Sequence, residues 1–309
     1  MVNISVQIIA KETTEFGRRI FKSCLESLLG HPAQLIVVDN GCSESVRQMI
    51  SEVGTKFNIE GTEFVSIIKD RKHFTFSELR NFALEKTRGD TTHYQWVDSD
   101  ESFFPTQLKK LKEFLSENDD VVQVNQNLVH LMIHPYQYQE KYSKSNVFKY
   151  SPSLTWTKGV HEYLQNVPTG KHVNTDYEYL HFGYCRRQFE KFLGWLWYDI
   201  LEKGNVNGYR ESVEEGKVVH YLRDWRTPNG ILEDRKPQCK PYEGKYPEAC
   251  TPWLAEWHKS KLSWEDWLKS LDPEMETFWQ WWQDLYKKYG NWKDTLADVC
   301  KRMGWSERS

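Results

Sequence analysis

The sequence lacks several features that would assign it to a common class of protein. Its net charge of -3, from 41 basic and 44 acidic residues, provides no positive field for nucleic acid or an anionic membrane. Its six cysteines show no CxxC spacing, which disfavours a zinc site or a disulfide framework. No signal peptide and no run of about 18 apolar residues is present. We therefore expect a cytoplasmic protein without a transmembrane segment or a nucleic-acid partner.

Tryptophan, by contrast, is abundant: the chain has 14, most of them after residue 190. Pairs at helical spacing, such as Trp253 with Trp257 and Trp264 with Trp267, favour the core of a small helical unit. An aromatic acceptor platform and a homo-oligomer contact remain open as alternatives. We predict three regions, which are an α/β domain (1–205), a connector (206–250) and a Trp-rich helical C-terminal subdomain (251–309).

Short β-branched runs alternate with helical patterns in the first part of the chain. This alternation predicts an α/β fold with a Rossmann-like, mostly parallel sheet flanked by helices. Strands are expected at residues 4–9, 35–38, 64–68 and 94–97. Between the last two, Ser77 is expected to cap a helix that ends at Gly89. Longer strand-like runs after residue 121 favour an antiparallel extension of the sheet.

Acidic side chains directly follow two of the predicted strands. Asp39 ends the second strand, and Asp98 and Asp100 follow the fourth. The carboxyl ends of parallel strands meet at one edge of a sheet, where ligands bind in such folds. Two carboxylates on a tight loop suit Mg²⁺ or Mn²⁺, which in turn bridges to a diphosphate. The alternative is an acidic turn that caps the helix beginning near Pro105.

The order and spacing of several segments resemble the family 2 glycosyltransferases, which have the GT-A fold. Four of these segments are residues 36–43 (IVVDNGCS), 76–84 (FSELRNFAL), 89–90 (GD) and 96–101 (WVDSDE). Two more, residues 156–162 (WTKGVHE) and 181–184 (HFGY), resemble segments of a bacterial subset of that family. The resemblance covers roughly residues 3–190 and leaves the Trp-rich end unexplained.

The resemblance implies a metal-dependent, inverting transfer of a sugar from a nucleotide-sugar, UDP-linked by analogy, to a glycan, peptide or small-molecule acceptor. It implies that the nucleotide-sugar is bound by Ala10, Lys11, Glu12, Asp39, Arg80, Asp98 and Ser99. It places Mn²⁺ or Mg²⁺ on Asp98, Asp100 and His181. Glu162 or His161 would deprotonate the acceptor, and Trp156 would stack against it.

Structural roles compete with these functional ones. Asp39 could form a turn, Arg80 could lie on a helix surface, and His181 and Trp156 could be core residues. Two other classes of protein also stay open, a nucleotidyltransferase of similar fold and a non-catalytic carbohydrate-binding protein. The first would carry a Gly- and basic-rich loop after the first strand, where residues 10–15 read AKETTE. The second would not need the acidic loop together with Glu162.

Overall fold

One mixed sheet with helices on both faces organises most of the chain. The computed structural model describes residues 2–69, 74–159, 162–187, 190–191, 193–194, 239–289, 298 and 302. The described strands are β1 (Ile4–Ala10), β2 (Gln34–Asp39), β3 (Glu63–Ile68), β4 (His93–Asp98), β5 (Glu101–Phe103), β6 (Val121–Met132), β7 (Gln137–Lys149), β8 (Thr155–Thr157), β9 (Tyr163–Gln165), β10 (Lys171–Tyr184) and β11 (Lys240–Pro241). The helices are α1 (Glu15–Ser27), α2 (Glu44–Ile59), α3 (Phe76–Leu84), α4 (Pro105–Glu117), α5 (Thr251–Ser260), α6 (Trp264–Leu271) and α7 (Pro273–Tyr289).

The sheet runs in the order β3-β2-β1-β4-β7-β6-β10-β5, with β11 added beside β7. Its first four strands are parallel, as the sequence predicts. The expected antiparallel extension is confirmed where β7 pairs with β4 and β6. Beyond it, β10 runs parallel to β6, because the chain crosses back over residues 150–170 before β10 begins. The short strands β8 and β9 form a separate hairpin within that crossover.

The continuous apolar run in β2 is buried on both faces, which confirms its prediction as an internal strand. Successive side chains of a strand point to opposite faces. Leu35 and Val37 accordingly pack into the core under α1 and α2, while Ile36 and Val38 meet α3 on the other side. These two cores pack helices onto both faces of the sheet. The loops at the carboxyl ends of the parallel strands therefore start from a rigid edge.

The start and end of α3 differ from the prediction. Thr75, not Ser77, is the N-cap: its hydroxyl accepts from the Glu78 backbone N–H, and the Glu78 carboxylate accepts from the Thr75 backbone N–H. This reciprocal capping box satisfies two helix donors at once, so it fixes the helix start two residues earlier. The helix also ends at Leu84 rather than at Gly89.

The described part of the Trp-rich end is helical, as predicted, and packs on α1. Trp253, Trp264 and Trp267 are buried and surround the ring of Phe16 in edge-to-face contacts. These three are core residues, but their core is shared with α1 and the sheet, so it is not the core of a separate helical unit. Most of the predicted connector, residues 206–238, lies outside the described residues. Within the described ranges, the structure contains no helix with the length and apolar character needed to cross a membrane.

Candidate active site

Strand register brings the predicted acidic residues to one edge of the sheet. On β1, Ala10 lies beside Asp39 of β2, and Ile9 lies beside Asp98 of β4. The loop after β4 therefore sits next to the end of β1, one strand away from Asp39. This is the convergence that the parallel pattern predicts.

Asp39 has the contacts of a turn-forming residue. Its Oδ1 accepts from the backbone N–H groups of Gly41 and Cys42, at 2.7 and 2.6 Å. Its Oδ2 accepts from Arg47 Nε at 2.6 Å, and the residue is 1% exposed. Both Asp39 oxygens thus accept hydrogen bonds within the turn or from Arg47, whose side chain is half-exposed.

The segment after β1 contributes a carboxylate that bridges two other site residues. Glu12 is buried and accepts from Ser99 Oγ at 2.7 Å. Both of its oxygens also accept from the Arg186 guanidinium, at 2.7 Å each. Charge-assisted pairs of this two-pronged kind hold both groups in a defined geometry. Lys11, its neighbour, is half-buried.

Arg80 lies inside the site rather than on the surface of α3. Its side chain is 4% exposed, its Nε donates to Glu162 Oε1 at 2.7 Å, and its Nη2 donates to Asp98 Oδ1 at 3.0 Å. The guanidinium also lies over the Trp96 and Trp156 rings, 4.4 and 5.1 Å from their centroids. Arg80 thus joins the candidate base to the acidic loop.

A lysine on β7 holds the other side of Asp98. Lys144 Nζ donates to Asp98 Oδ2 at 2.8 Å and also to Glu101, while lying 3.7 Å from the centre of the Trp96 ring. Glu101 is fully buried, and its Oε2 accepts from the Asp98 backbone N–H at 3.1 Å. Burial raises the pKa of Glu101 to about 7, although the Lys144 charge opposes that rise. Each carboxylate oxygen of Asp98 thus accepts a hydrogen bond from a cation, Oδ1 from Arg80 and Oδ2 from Lys144.

Asp100 has a different environment. His181 Nε2 lies 3.3 Å from its Oδ1, and Arg186 Nη2 lies 3.9 Å from its Oδ2. Burial opposes charge on Asp100, but its interactions with His181 and Arg186 prevail and its pKa lies below the usual range. On the other side of the His181 ring, Nδ1 lies 2.8 Å from Nδ1 of His130 on β6. Burial lowers the pKa of His130 to about 2, so that ring is neutral.

Asp100 and His181 are the two described side chains that could act together as ligands of a divalent cation. A carboxylate oxygen and an imidazole nitrogen 3.3 Å apart match the spacing of two neighbouring ligands on one small cation. Gly183 lets this pair approach the backbone closely: a Cβ there would lie 2.6 Å from His181 Nε2 and 2.7 Å from Asp100 Oδ2, so a larger residue would displace them. No group of three His, Cys, Asp or Glu side chains placed to hold a metal occurs among the described residues. The remaining ligands would therefore come from phosphate oxygens or water.

The residues predicted for the acceptor side fall in three places. Glu162 is 13% exposed beside Arg80, and its Oε2 has no hydrogen bond to any residue that the structure describes. His161 lies outside the described residues. Trp156 is 3% exposed, with its Nε1 donating to the Tyr94 hydroxyl and its backbone bonded to Asn81. Its ring packs on Arg80 and presents no open face for stacking an acceptor.

Sequence reasoning missed Lys144, Arg186 and His130. Lys144 and His130 lie within strands and carry no local signal, since a single polar residue in an alternating segment is normally solvent-facing. Arg186 had a signal, because it follows the HFGY segment by two residues. Both cations contact carboxylates that the sequence predicts for the site: Lys144 contacts Asp98, and Arg186 contacts Glu12. A search for cationic partners of those carboxylates would have found both.

One family model and several solved structures match part of this chain. Residues 6–175 match the model of the glycosyl transferase family 2. S. aureus TarS is similar in structure at 19% identity with a TM-score of 0.32, over 42% of this chain and 22% of that one. A second structure, S. aureus TarS 1-349 in complex with UDP-GlcNAc, has 20% identity and a TM-score of 0.31, over 42% and 34%.

The chain thus spans 22% and 34% of the length of these two solved structures, and no curated protein sequence matches it. The family model, however, matches more than half of the chain, from within β1 to the start of β10. The chain belongs to the glycosyl transferase family 2, with the GT-A arrangement of sheet and helices.

Proposed function

We propose that this protein transfers a sugar from a nucleotide-sugar, with the donor diphosphate held at the loop after β4. The observation that supports the proposal is the pairing of Asp100 with His181, whose Nε2 lies 3.3 Å from Asp100 Oδ1 beside Gly183. That pair lies at the ligand-binding edge of the sheet, in a chain of the glycosyl transferase family 2. A UDP-linked donor is proposed by family analogy alone.

Asp100 and His181 would hold the cation, which as Mn²⁺ or Mg²⁺ supplies positive charge where the diphosphate leaving group develops negative charge. Of the two roles predicted for Asp98, the proposal keeps the contact with the nucleotide-sugar and not that of metal ligand. Its two oxygens accept from Arg80 and Lys144, so it orders the loop and can receive a ribose hydroxyl through its exposed side. Its side chain keeps 40% of its surface exposed, which leaves room for that contact.

Arg186 is the second positive group proposed for the diphosphate. Glu12 fixes its guanidinium in a bidentate pair, and this orients it toward Asp100. A planar guanidinium matches the oxygens of a phosphate group as well as those of a carboxylate. Ser99, which donates to Glu12, would hold the loop against this cation.

Glu162 is proposed as the general base that accepts the proton of the acceptor. Arg80 holds one oxygen of its carboxylate, and Asp98 is bonded to the same guanidinium, so the base is fixed relative to the donor loop. A base held in this way removes the acceptor proton as the anomeric carbon is attacked. Direct displacement of the diphosphate then inverts the anomeric configuration. His161 remains the alternative base.

The experiment is a thermal-shift screen of nucleotide-sugars with and without Mn²⁺. A ligand at 100 times its Kd stabilises the folded state by about 2.7 kcal/mol, which raises the Tm of a chain of this length by several degrees. We expect a rise for at least one donor, dependent on Mn²⁺ and lost in Asp100→Asn. A Tm that responds to no donor, or an equal response in Asp100→Asn, would contradict the proposal.

A further inference from the structure

The Trp-rich end supplies a hydrogen-bond acceptor to the start of α1. Asp272 lies between α6 and α7, and the Glu15 backbone N–H donates to its two carboxylate oxygens at 2.8 and 3.0 Å. The local N-cap, Thr14, accepts from the Gly17 backbone N–H at 3.0 Å. The first N–H groups of a helix have no partner within the helix, and a carboxylate is favoured beside them. Asp272, 257 positions from Glu15, therefore completes the cap of α1.

The junction between α6 and α7 also contacts the chain after β10. Arg187 is 8% exposed, and its Nη1 donates to the backbone carbonyl of Asp272 at 3.2 Å. Its Nη2 donates to the carboxylate of Glu276 in the first turn of α7. Asp272 thus joins two segments, the start of α1 and the residues that follow β10.

The same two segments carry the Glu12–Arg186 pair of the candidate active site. Glu12 lies just before the N-cap of α1, and Arg186 directly precedes Arg187. The two oxygens of Glu12 accept from Arg186 at 2.7 Å each. Glu190 adds a second link, because its Oε2 accepts from Thr14 Oγ1 at 3.3 Å and lies 3.9 Å from Arg186 Nη1. The position of the guanidinium therefore depends on how the two segments are held relative to each other.

The aromatic core between α1 and the Trp-rich end holds these parts together without fixing their geometry. Trp253, Trp264 and Trp267 surround Phe16 in edge-to-face contacts. Burial of apolar surface is favourable in many relative orientations, whereas a hydrogen bond requires a defined distance and angle. The bonds of Asp272 are thus suited to set the orientation, and the aromatic core to supply the stability.

We propose that Asp272 is a positioning residue for the donor. By joining the start of α1 to Arg187, it sets the separation of Glu12 and Arg186 and so places the Arg186 guanidinium for the donor diphosphate. This gives the Trp-rich end a part in donor binding. The inference rests on the proposed function, since it concerns the diphosphate contact proposed for Arg186.

The test measures the affinity of the full chain for UDP by isothermal titration calorimetry in a buffer with Mg²⁺. Arg186→Met removes a charge-assisted hydrogen bond to phosphate, so UDP affinity should fall about 10- to 100-fold. Asp272→Ala keeps the guanidinium but removes its support, so UDP affinity should fall about 3- to 10-fold. Asp272→Asn retains an acceptor oxygen for the Glu15 N–H and should bind UDP like the wild type.

A double-mutant cycle shows whether Asp272 acts through Arg186. If it does, Asp272→Ala causes no further loss of UDP affinity in the Arg186→Met background. The inference would be overturned by equal UDP affinity in wild type and Asp272→Ala, or by a loss in Asp272→Asn as large as that in Asp272→Ala. It would also be overturned by an undiminished further loss in the double variant.

Two more variants separate positioning from stability. Leu268 is 3% exposed in the same core as the three tryptophans, so Leu268→Ala should lower the Tm and leave UDP affinity unchanged. A comparable loss of affinity in this control would reduce the role of Asp272 to general stability and overturn the inference. Arg187→Met breaks the other contact of the junction and does not depend on Asp272→Ala folding. It should lower UDP affinity about 3- to 10-fold, and unchanged affinity would equally overturn the inference.

The Arg186→Met variant separates this failure from failure of the proposed function. If UDP binds Arg186→Met as tightly as wild type, the diphosphate contact proposed for Arg186 is wrong and both proposals fall. If Arg186→Met weakens UDP binding and Asp272→Ala does not, the diphosphate contact stands and only the role of Asp272 is wrong.

Discussion

The two carboxylates of the acidic loop differ in their partners more than in their positions. Asp98 accepts from two buried cations, Arg80 and Lys144, at 3.0 and 2.8 Å. Asp100, two residues on, faces the imidazole of His181, with Arg186 farther away at 3.9 Å. The first carboxylate has a cationic donor on each oxygen, and the second lies in a tight pocket beside Gly183 with an imidazole as its nearest partner.

This difference shows that a two-aspartate motif does not by itself define a two-aspartate metal site. A carboxylate whose charge is already balanced at close range attracts a further cation less strongly than one that is not. The Asp98 side is therefore built to hold the loop and the base in place, and the Asp100 side to bind. Four predictions test this difference between Asp98 and Asp100.

The largest expected effect is on turnover in Glu162→Gln. Glutamine retains an oxygen for the Arg80 bond but cannot accept a proton, so the rate should fall about 10²- to 10⁴-fold. Because Glu162 belongs to the Asp98 side, Mn²⁺ affinity should stay the same. Turnover is measured by release of the nucleotide diphosphate, and Mn²⁺ binding by titration. A variant that loses Mn²⁺ affinity would show that the two sides are one site.

The next effect is on stability in Lys144→Met. Removing this cation leaves the buried Glu101 and one oxygen of Asp98 without their partner, and breaking a buried pair costs about 3–5 kcal/mol. Urea unfolding measures the loss. Lys141→Met on the same strand is the control, because Lys141 is 44% exposed and pairs with Glu178 at the surface. We expect the control to lose less than about 1 kcal/mol. Equal losses would mean that the Asp98 network is no more than surface pairing.

A smaller effect is expected for the Asp100 side in Gly183→Ala. The added Cβ would lie within 2.7 Å of both His181 Nε2 and Asp100 Oδ2, so these two proposed ligands would have to move apart from it. Mn²⁺ affinity should fall about tenfold, in the range seen when metal ligands lose their support. Gly89→Ala is the matched control, since a Cβ there meets no atom within 4 Å. Unchanged Mn²⁺ affinity in Gly183→Ala would place the cation elsewhere.

The smallest expected effect is on the pH dependence of stability in Glu101→Gln. Burial raises the pKa of Glu101 from 4.5 to about 7. Because the pKa of Glu101 is higher in the folded state, its contribution to the free energy of unfolding is complete below the pKa of the unfolded state. That contribution is lost as pH rises through the pKa of the folded state. The variant should therefore gain stability relative to wild type between about pH 5 and pH 7.5, as measured by urea unfolding at each pH. A relative loss over that window would contradict the assigned direction.

Much of the fold was predictable because its signals are local. The apolar run of β2 and the residues that follow it place Asp39 at a strand end, and the same reasoning places Asp98 and Asp100. The start of α3 was wrong because a capping box at Thr75 outweighs a nearby serine. The short strand β5, directly after the acidic loop, carries no periodic pattern at three residues.

Local sequence is enough to predict which acidic side chains meet at the ligand edge, because strand period and strand direction follow from neighbouring residues. The hydrogen-bond and ion-pair partners of each carboxylate depend on the tertiary structure. Lys144 reaches Asp98 across 46 positions of sequence, and His130 reaches His181 across 51. Such pairings depend on the register between strands that are distant in sequence, and a charge or a proton is placed by its nearest partner in space.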